Sequence, residues 1–255
     1  MAKEIVLIGL ETLPEIREGD DIGKLIVEAC AREGVKIGDG DIIVVTHKIV
    51  SKAEGRIVSL KNIVPSEKAR EIAAIVGKDP RFVELVLRES KRIIKATREG
   101  HLIVETHHGI VCANAGIDAT NIAGTEEIVA LLPKDPDMSA KKIRNRIKEL
   151  TGKNVAVIIT DTYGRPLRNG MINMAIGLSG INPFRDYRGK DDTFGYKFKV
   201  TVIAAADEIA CAAELLTGQG KERIPVVIIK GYRYERNEKA SAKELNMPEE
   251  KWLFK

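Results

Sequence analysis

A long amphipathic segment followed at once by a continuous apolar run limits what this chain can fold into. Residues 139–152, "SAKKIRNRIKELTG", repeat apolar residues at helical spacing and end at Gly152, a residue type that commonly terminates helices. After Lys153, residues 154–160, "NVAVIIT", have the nearly unbroken apolar character of a strand that is buried on both faces. Because other helix and strand patterns accompany this pair, we predict an α/β fold of the mixed α+β kind, with mixed sheets.

The same two periodicities predict the remaining elements. Apolar spacing behind Asp, Ser or Pro predicts helices at "DDIGKLIVEACARE", "PSEKAREIAAIVG", "DPRFVELVLRES" and "ADEIACAAELLTG". Strands are predicted at "EIVLI", 42–45, "RIIKA", "HLIVET", "GIVCANAG", "KFKVTVIAA" and "IPVVIIKG", with a hairpin turn at "HHG". After the buried strand the chain is predicted to break into a glycine-containing run and to stay irregular to about residue 192. The tail after 232 is weakly patterned, and we expect Trp252 to pack it onto the body.

Composition and charge exclude several classes of protein. The chain has 255 residues, of which 44% are hydrophobic and 31% charged, so a globular core is expected as one large domain or two lobes. Its net charge of +4 is nearly balanced, unlike the one-signed surface typical of duplex DNA binding. No apolar run approaches the ~20 residues that a membrane span needs. Three isolated cysteines, Cys30, Cys112 and Cys211, are expected to be reduced core residues of a cytoplasmic protein.

The common nucleotide-binding and metal motifs do not occur. No GxxxxGK run is followed by Ser or Thr, and no GxGxxG follows a strand, so the sequence predicts a non-P-loop and non-Rossmann fold. The histidines form no HExxH, and the pair His107 and His108 is interpreted as a polar turn. Asp207 and Glu208 are expected to lie exposed in the first turn of a helix, where acidic residues suit the helix dipole.

Three loop clusters combine acids, glycines and cations. They are "NAGIDATN" at 114–121, "TDTYGRPLRNG" at 160–170 and "LLTGQGKERIP" at 215–225. Asp118 and Asp161 are the obvious pair for Mg²⁺ or Mn²⁺, which bind one or two carboxylates and keep waters and phosphates. The run "GQGKER" has bare backbone and cations suited to phosphate. The alternative is structural, because an Asp in a glycine-containing loop is more often a turn or cap residue.

One histidine lies beside two lysines where a strand is predicted to end. His47 follows the apolar run 42–45 and is close in sequence to Lys48 and Lys52. Two interpretations remain open at this point, a contact to a nucleotide or phosphate and a solvated lysine cluster.

Taken together, these motifs resemble one known family. "SKAEGRI", "NAGIDATN", "VIITDTYGRPLRNG", "AIGLSG" and "ADEIACAAELLTGQG" followed by "IPVVIIKG" are similar, in this order, to the archaeal coenzyme F-420-0 gamma-L-glutamyl ligases. The resemblance covers the chain from the first strand to about residue 232. It implies a catalytic unit spanning 1–255 with two closely packed α/β lobes, a C-terminal tail at 233–255, and a homodimer. It also implies that GTP drives the addition of L-glutamate to a deazaflavin precursor, with Mn²⁺ or Mg²⁺ (two ions) and K⁺ as cofactors.

The resemblance also implies roles for particular residues. The implied metal ligands are Asp118, Asp161, Thr162 and Gln219, the last at a position where some relatives are expected to carry Glu. The implied GTP contacts are Glu11, Thr12, Leu13, Pro14, His47, Lys48, Lys52, Asn121, Thr217, Gly218, Gln219, Gly220, Lys221, Glu222, Arg223 and Ile224. Catalytic roles are expected for Asp118, Asp161 and Lys52. From their position alone, Arg165 and Arg168 are expected to receive the anionic acceptor or glutamate.

Two other functions remain open from the sequence. One is a different metal- and nucleotide-dependent amino-acid ligase or a phosphotransferase on the same scaffold. The other is a non-enzymatic RNA-binding module, suggested by the pI of about 8.8 and opposed by an aromatic content of only 4%. The preference for GTP over ATP comes from the family resemblance, and no residue type in the chain indicates it. We expect small-molecule substrates, with neither nucleic acid nor membrane as a partner.

Overall fold

A computed structural model describes residues 3–253 as a mixture of helices and strands. The helices are α1 (Ile22–Arg32), α2 (His47–Ala53), α3 (Glu67–Val76), α4 (Pro80–Arg88), α5 (Pro136–Thr151) and α6 (Ala205–Thr217). The strands are β1 (Val6–Leu10), β2 (Ile42–Thr46), β3 (Ile57–Ser59), β4 (Ser90–Ala96), β5 (Leu102–Thr106), β6 (Val111–Ala113), β7 (Ile128–Ala130), β8 (Ala156–Gly164), β9 (Met171–Ser179), β10 (Arg185–Asp186), β11 (Val202–Ile203) and β12 (Val226–Lys230). The predicted mixed α/β class is confirmed.

The largest sheet has five strands in the order β1-β12-β2-β8-β9. Only the central pair, β2 and β8, is parallel, and all the other neighbours are antiparallel. Successive residues of β2 and β8 point alternately into two hydrophobic clusters, one shared with α1 and α5 and the other with α6. Both faces of the sheet are therefore covered by helices, which explains why these strands appear as continuous apolar runs in the sequence.

A third hydrophobic cluster belongs to one continuous stretch of chain. Its buried members all fall between Leu60 and Leu131, and they come from α3, α4 and the short strands around them. Two small sheets lie in this region, β3-β7 and β4-β5-β6. The turn between β5 and β6 contains His107 and His108, as predicted. The division into two lobes stays a prediction, although a separate core for this stretch is what a second lobe needs.

The C-terminal tail packs against the rest of the described chain through side-chain contacts. It contains two short 3-10 turns, at Ala242–Leu245 and Glu249–Lys251. Its polar side chains contact α5, the β5–β6 turn and β4 through four pairs: Glu238 with Arg144, Ser241 with Asp137, Asn246 with His108, and Glu249 with Arg92. The Arg92 guanidinium also lies 5.6 Å from the centre of the Trp252 ring. Trp252 therefore packs the tail onto the body, as expected.

Two strand predictions were wrong. The segment after the buried strand forms β9, a nine-residue strand at the edge of the main sheet, because β8 provides an antiparallel partner along its length and beyond the end of β2. In the predicted strand "KFKVTVIAA" only Val202–Ile203 is a strand. Its partner among the described residues is β10, which has only two residues. Both errors concern pairing, which a single-sequence pattern does not report.

The prediction for the first turn of α6 was wrong for one of its two acids. Glu208 is exposed as expected, but Asp207 is partly buried, and its Oδ1 accepts a hydrogen bond from the backbone N–H of Ala175 at 2.9 Å. Burial raises the pKa of the Asp207 carboxyl above its usual range. The cysteines follow expectation more closely, because Cys30 and Cys112 are buried and Cys211 is half-buried, all three as free thiols.

A close approach between α5 and β9 requires a glycine at position 177. A Cβ added to Gly177 would lie 2.5 Å from the Cβ and from the carbonyl oxygen of Pro136, which begins α5. We expect Gly177→Ala to lower the free energy of unfolding by about 2–4 kcal/mol, since the helix must move away from the sheet. Denaturant unfolding measures the change. Gly164→Ala is the control, because its Cβ would meet nothing within 4 Å; equal loss in both variants would contradict the argument.

Candidate active site

A cleft of about 440 Å³ opens where β2 ends and α2 begins. The volume falls within the ~300–1,000 Å³ range of small-molecule sites. Six parts of the chain line it: the loop after β1, the β2–α2 junction, the loop before β7, the end of β8, the start of β9, and the segment from the end of α6 to β12. Its lining residues are Leu13, Pro14, Glu15, Ile16, Thr46, His47, Lys48, Ile49, Lys52, Asn121, Thr160, Asp161, Thr162, Asn173, Thr217, Gly218, Gln219, Gly220, Lys221, Arg223, Ile224 and Pro225.

Strand β8 places Asp161 in this cleft because β8 extends beyond the end of its parallel neighbour β2. The pairing of β2 with β8 ends at Thr46 and Thr160, so the residues beyond pair with β9 alone. A register shift between β8 and β9 falls just at this point, where Thr160 pairs with Ala175. Bulges of this kind often lie beside active sites and redirect side chains. Asp207 holds the β9 side of the bulge through the N–H of Ala175.

Asp161, Thr162, Asn173 and Gln219 form one hydrogen-bonded group. The Oδ1 of Asp161 accepts from the N–H of Thr162 at 2.7 Å, and the hydroxyl of Thr162 donates to the Oδ1 of Asn173 at 3.2 Å. The side-chain amide of Gln219 donates to the Thr162 hydroxyl oxygen at 2.9 Å, and to the carboxylate of Glu214 at 2.8 Å. Two of the predicted loop clusters therefore meet at Thr162.

The predicted GTP contact His47 is a buried residue directed at Asp161. Its Nε2 lies 3.2 Å from the Oδ1 of Asp161 and is not aligned for a hydrogen bond, so this buried nitrogen has no hydrogen-bond partner among the described residues. The Nδ1 of the ring lies 3.5 Å from the Oγ of Ser51, one turn further along α2. In the tautomer in which Nδ1 accepts from the Ser51 hydroxyl, the ring proton of His47 is on Nε2, the nitrogen that faces the Asp161 carboxylate.

Lys48, the next residue of α2, contacts the other predicted acid. Its Nζ lies 2.8 Å from the Oδ2 of Asp118 and donates to the hydroxyl of Thr120 at 3.0 Å. Thr120 in turn donates to the Asp118 carboxylate from its backbone N–H and its hydroxyl. Burial alone would raise the pKa of the Asp118 carboxyl, but the hydrogen bonds from Lys48 and Thr120 outweigh it and hold that pKa below its usual range. Consecutive residues of α2 thus contact the two acids.

The first loop cluster also contacts the third. The side-chain amide of Asn121 donates to the backbone carbonyls of Gln219 and Gly220, at 3.3 and 3.2 Å. Asn121 and Arg223 both have a φ of 57°, a left-handed conformation that is uncommon outside glycine and concentrates at functional sites. The fold therefore brings all three predicted clusters to one cleft.

Positive charge exceeds negative charge in the lining. Four cationic side chains line the cleft against two carboxylates; these are Lys48, Lys52, Lys221 and Arg223 against Glu15 and Asp161. The ammonium of Lys52 is paired with Glu15, a residue of the exposed loop after β1. Such a surplus of cations beside exposed backbone amides suits an anionic ligand, and phosphates in particular.

The oxygen donors around Asp161 fit a hard divalent cation. Within residues 3–253 no group of three or more His, Cys, Asp and Glu side chains is placed to hold a metal ion. The set around Asp161 is different, since it combines one carboxylate with the Thr162 hydroxyl and the Asn173 amide oxygen, while Gln219 directs its amide N–H at Thr162. Mg²⁺ and Mn²⁺ are bound in this way, through one or two carboxylates together with waters and substrate phosphates. The predicted metal assignment therefore agrees with the donor chemistry and stays a prediction.

Several residues predicted for the site do not line the cleft. Asp118 does not line the cleft itself, but it contacts Lys48, which does. Glu11 and Thr12 donate their backbone N–H groups to Glu33, at the end of α1. The carboxylate of Glu222 accepts a hydrogen bond from the N–H of Gly220, within the same loop between α6 and β12.

The two predicted acceptor arginines also lie outside the lining. Arg165 and Arg168 belong to the hairpin tip between β8 and β9. The guanidinium of Arg165 donates to the carbonyls of Asn169 and Gly170, and Arg168 is exposed. Their assignment to substrate stays a prediction.

Sequence reasoning missed four lining residues of chemical interest. Thr46, Thr160 and Asn173 lie on strands, and Glu15 follows the predicted loop by one residue. Polar residues inside an otherwise apolar strand, such as Thr160 and Asn173, were the available signal. Both are buried, and the Thr160 hydroxyl has no hydrogen-bond partner among the described residues. The hydroxyl of Thr217 at the other side of the cleft is in the same state.

Buried hydroxyls without a protein partner cost stability, and a ligand can satisfy them. We expect Thr160→Val to raise the free energy of unfolding of the ligand-free protein by roughly 0.5–1 kcal/mol and to weaken ligand binding in the cleft. Thr106→Val is the matched control, because the equally buried Thr106 hydroxyl accepts from the N–H of Ile110 at 3.1 Å and its loss should destabilise. Denaturant unfolding of both variants measures the difference, and a destabilised Thr160→Val would contradict the interpretation.

The fold and the cleft define an enzyme of the mixed α/β class with a cation-lined site at the strand ends. Residues 11–231 match the model of the family F420-0:Gamma-glutamyl ligase. The chain therefore belongs to the F420-0:gamma-glutamyl ligase family. The predicted family is confirmed, and with it the predicted class of enzyme, a ligase that forms carbon–nitrogen bonds.

Relatives of similar length support this membership. The chain is 49% identical to the coenzyme F420:L-glutamate ligase of Methanothermobacter thermautotrophicus over 230 aligned residues. The alignment covers 89% of each chain. It is 48% identical to the protein of the same name from Archaeoglobus fulgidus, over 87% of this chain and 86% of the relative. The corresponding protein of Methanocaldococcus jannaschii is 44% identical over 90% and 88%. Within residues 3–253, no helix combines the length and the apolar character needed to cross a membrane.

Proposed function

We propose that this chain joins L-glutamate through a gamma-glutamyl amide bond to the deazaflavin precursor of coenzyme F420, using GTP. The observation that carries the proposal is the lining of the cleft, which has a surplus of cations and has oxygen donors around Asp161. This cleft occurs in a chain that belongs to the gamma-glutamyl ligase family. A carboxylate is a poor acyl donor, so ligation requires activation by a phosphate. Cations and oxygen donors in one cleft are the groups that phosphoryl transfer needs.

The reaction divides into two balanced steps. In the first, a carboxylate oxygen of the acceptor attacks the gamma phosphorus of GTP, and GDP leaves with the bond electrons. In the second, the glutamate amine attacks the acyl carbon, phosphate leaves, and the amine loses a proton. A second round on the gamma-carboxylate of the added glutamate uses the same chemistry.

The lining residues are assigned by charge. Lys52 and Lys221 contact the phosphate oxygens, and Asn121 together with residues 217–224 holds the nucleotide. Asp161, Thr162 and Gln219 would hold one divalent cation, and Asp118 would contribute to a second. The buried ring of His47 lies against the Asp161 carboxylate, with its Nε2 3.2 Å from Oδ1. Bound there, Mn²⁺ or Mg²⁺ supplies neutralisation of the charge that develops on the transferred phosphoryl group.

The finer features of the proposal follow the family resemblance. K⁺ is assigned as a monovalent cofactor, and the protein is assigned as a homodimer. Arg165 and Arg168, on the exposed hairpin tip, are assigned to the anionic acceptor or glutamate because guanidinium groups bind carboxylates and phosphates in a fork.

A mass-spectrometric assay tests the proposal. The protein is incubated with the deazaflavin precursor, L-glutamate, Mn²⁺ and either GTP or ATP. The expected result is a mass gain of one or two glutamyl units with GTP and little gain with ATP. Phosphate release without any mass gain of the precursor would instead favour a phosphotransferase, and equal gain with ATP would overturn the assignment of GTP.

A further inference from the structure

Lys48 lies at the carboxylate that the proposed function assigns to a metal ion. Its ammonium contacts the Oδ2 of Asp118 at 2.8 Å and the hydroxyl of Thr120 at 3.0 Å. The side chains of Lys48 and Asp118 are 20% and 33% exposed, so the pair is shielded from solvent on most sides. A positive charge thus already occupies the oxygen atoms that a divalent cation would use.

The ammonium and a divalent cation compete for the same oxygens. Two cations in contact with one carboxylate repel each other strongly where solvent is partly excluded. Binding of the metal ion at Asp118 therefore requires Lys48 to move away. Lys48 lines the cleft while Asp118 does not, so the cleft is the direction in which the side chain can turn.

We propose that Lys48 is an exchangeable counter-ion, which occupies Asp118 until a divalent cation displaces it and then contacts the nucleotide phosphates. The proposal rests on the proposed function, because it needs both a metal ion at Asp118 and a phosphate in the cleft. It adds that one side chain couples the two binding events. The displaced ammonium loses one anionic partner and gains another, so metal ion and nucleotide strengthen each other's binding, and by linkage they do so by the same factor.

Lys52 provides a matched comparison one turn further along α2. It also lines the cleft and is also paired with a carboxylate, that of Glu15. Glu15 is exposed and belongs to the loop after β1, and it is not among the residues assigned to a metal ion. Removing the charge of Lys52 therefore leaves Asp118 with its ammonium partner and tests for a general effect of positive charge in the cleft.

Mn²⁺ binding to the ligand-free protein tests the exchange directly. The loss of the EPR signal of free aqueous Mn²⁺ gives the bound fraction, and Asp118→Asn identifies the class of sites to compare. Without nucleotide, we expect Lys48→Met to bind Mn²⁺ at these sites roughly tenfold more tightly than the unmodified protein, because the competing charge is gone. Lys48→Arg, which keeps the charge, and Lys52→Met should both stay within about twofold of the unmodified protein.

A second titration measures the coupling itself. The affinity for GDP is determined with and without Mn²⁺, and the ratio of the two values is the coupling factor. We expect Lys48→Met to reduce this factor at least roughly fivefold. Lys52→Met should weaken GDP in both conditions and leave the factor unchanged.

The outcomes separate the exchange from the proposed function. If Mn²⁺ binds, Asp118→Asn weakens it, and Lys48→Met leaves its affinity unchanged or lower, the exchange is wrong while the metal site stands. An equal gain in Lys48→Met and Lys52→Met also overturns the exchange, since it reports general charge repulsion. If no protein binds Mn²⁺ at any nucleotide concentration, the metal site fails and the exchange fails with it.

Discussion

Replacing Asp161 with Asn is expected to lower the rate of glutamylation about a thousandfold, the size of effect seen when one group that stabilises developing charge is lost. Asp161 is the carboxylate that lines the cleft in the hydrogen-bonded group with Thr162, Asn173 and Gln219, whereas Glu214, which also bonds to Gln219, does not line it. The Asn side chain keeps an oxygen that can accept from the N–H of Thr162, so the local structure is expected to persist. Turnover is measured by the mass gain of the precursor, and Mn²⁺ binding by EPR.

Two controls accompany this variant. Thermal unfolding should change little, because the backbone of β8 and its pairing with β9 do not depend on the charge. Asp191→Asn, at an exposed carboxylate 3.9 Å from Lys197, should keep full activity. If Asp161→Asn glutamylates at the normal rate and binds Mn²⁺ normally, the assignment of the metal ion to this residue is wrong.

Replacing Lys52 with Met is expected to raise the KM for GTP about a hundredfold and to lower kcat/KM by at least the same factor. The physical reason is the loss of a charge-assisted contact to phosphate in a cleft where Lys52 is only 13% exposed. Met keeps the apolar stem that packs along α2. Steady-state kinetics with varied GTP measures both constants.

Glu15→Gln is the matched partner of this variant. It removes the carboxylate that contacts Lys52 and leaves the ammonium in place. We expect the KM for GTP to stay the same or to fall, because GTP no longer competes with Glu15 for the ammonium. A similar rise of KM in both variants would show that the pair serves to hold the loop after β1, and would remove Lys52 from the phosphate site.

Local signals in the sequence were sufficient for five of the six described helices. The exception is α2, whose residues were interpreted only as the polar continuation of a strand. Asp21, Asp79 and Asp135 accept from backbone N–H groups at the starts of α1, α4 and α5, and Gly77 and Gly152 end α3 and α5 in the left-handed conformation. Caps, spacing and terminators act within one turn of the helix, so they are visible in the chain itself. The buried strands β2, β8 and β12 were predicted for the same reason, as short apolar runs that reflect coverage on both faces.

Pairing partners were not visible in the sequence. Strand β9 looked like a glycine-containing loop, yet β8 extends past β2 and pairs with β9 through eight residue pairs. The tail after 232 looked unpatterned because its order comes from partners distant in sequence, such as Arg144 and Asp137. Partners of this kind exert no constraint on local periodicity.

For the site, too, the sequence predicted the residue types but not the contacts between them. The chain predicted the residue types for an anionic ligand and a hard cation, in three loop clusters, and the linked motifs predicted the family. It did not show that His47 is buried against Asp161, that Lys48 contacts Asp118, or that Thr160 and Asn173 face the cleft.

By itself, therefore, the sequence determined the described helices other than α2, the buried strands, the family and the chemical character of the site. The tertiary structure alone decided which side chains meet. The extension of β8 beyond β2 brings "TDTYGRPLRNG" to "TGQGKER", where Gln219 bonds to Thr162. Helix α2 contacts both acids, and Asn121 connects "NAGIDATN" to the loop after α6. The physical reason is that residue types and caps act over a few residues. Contacts across many tens of residues depend on how the sheet and helices pack.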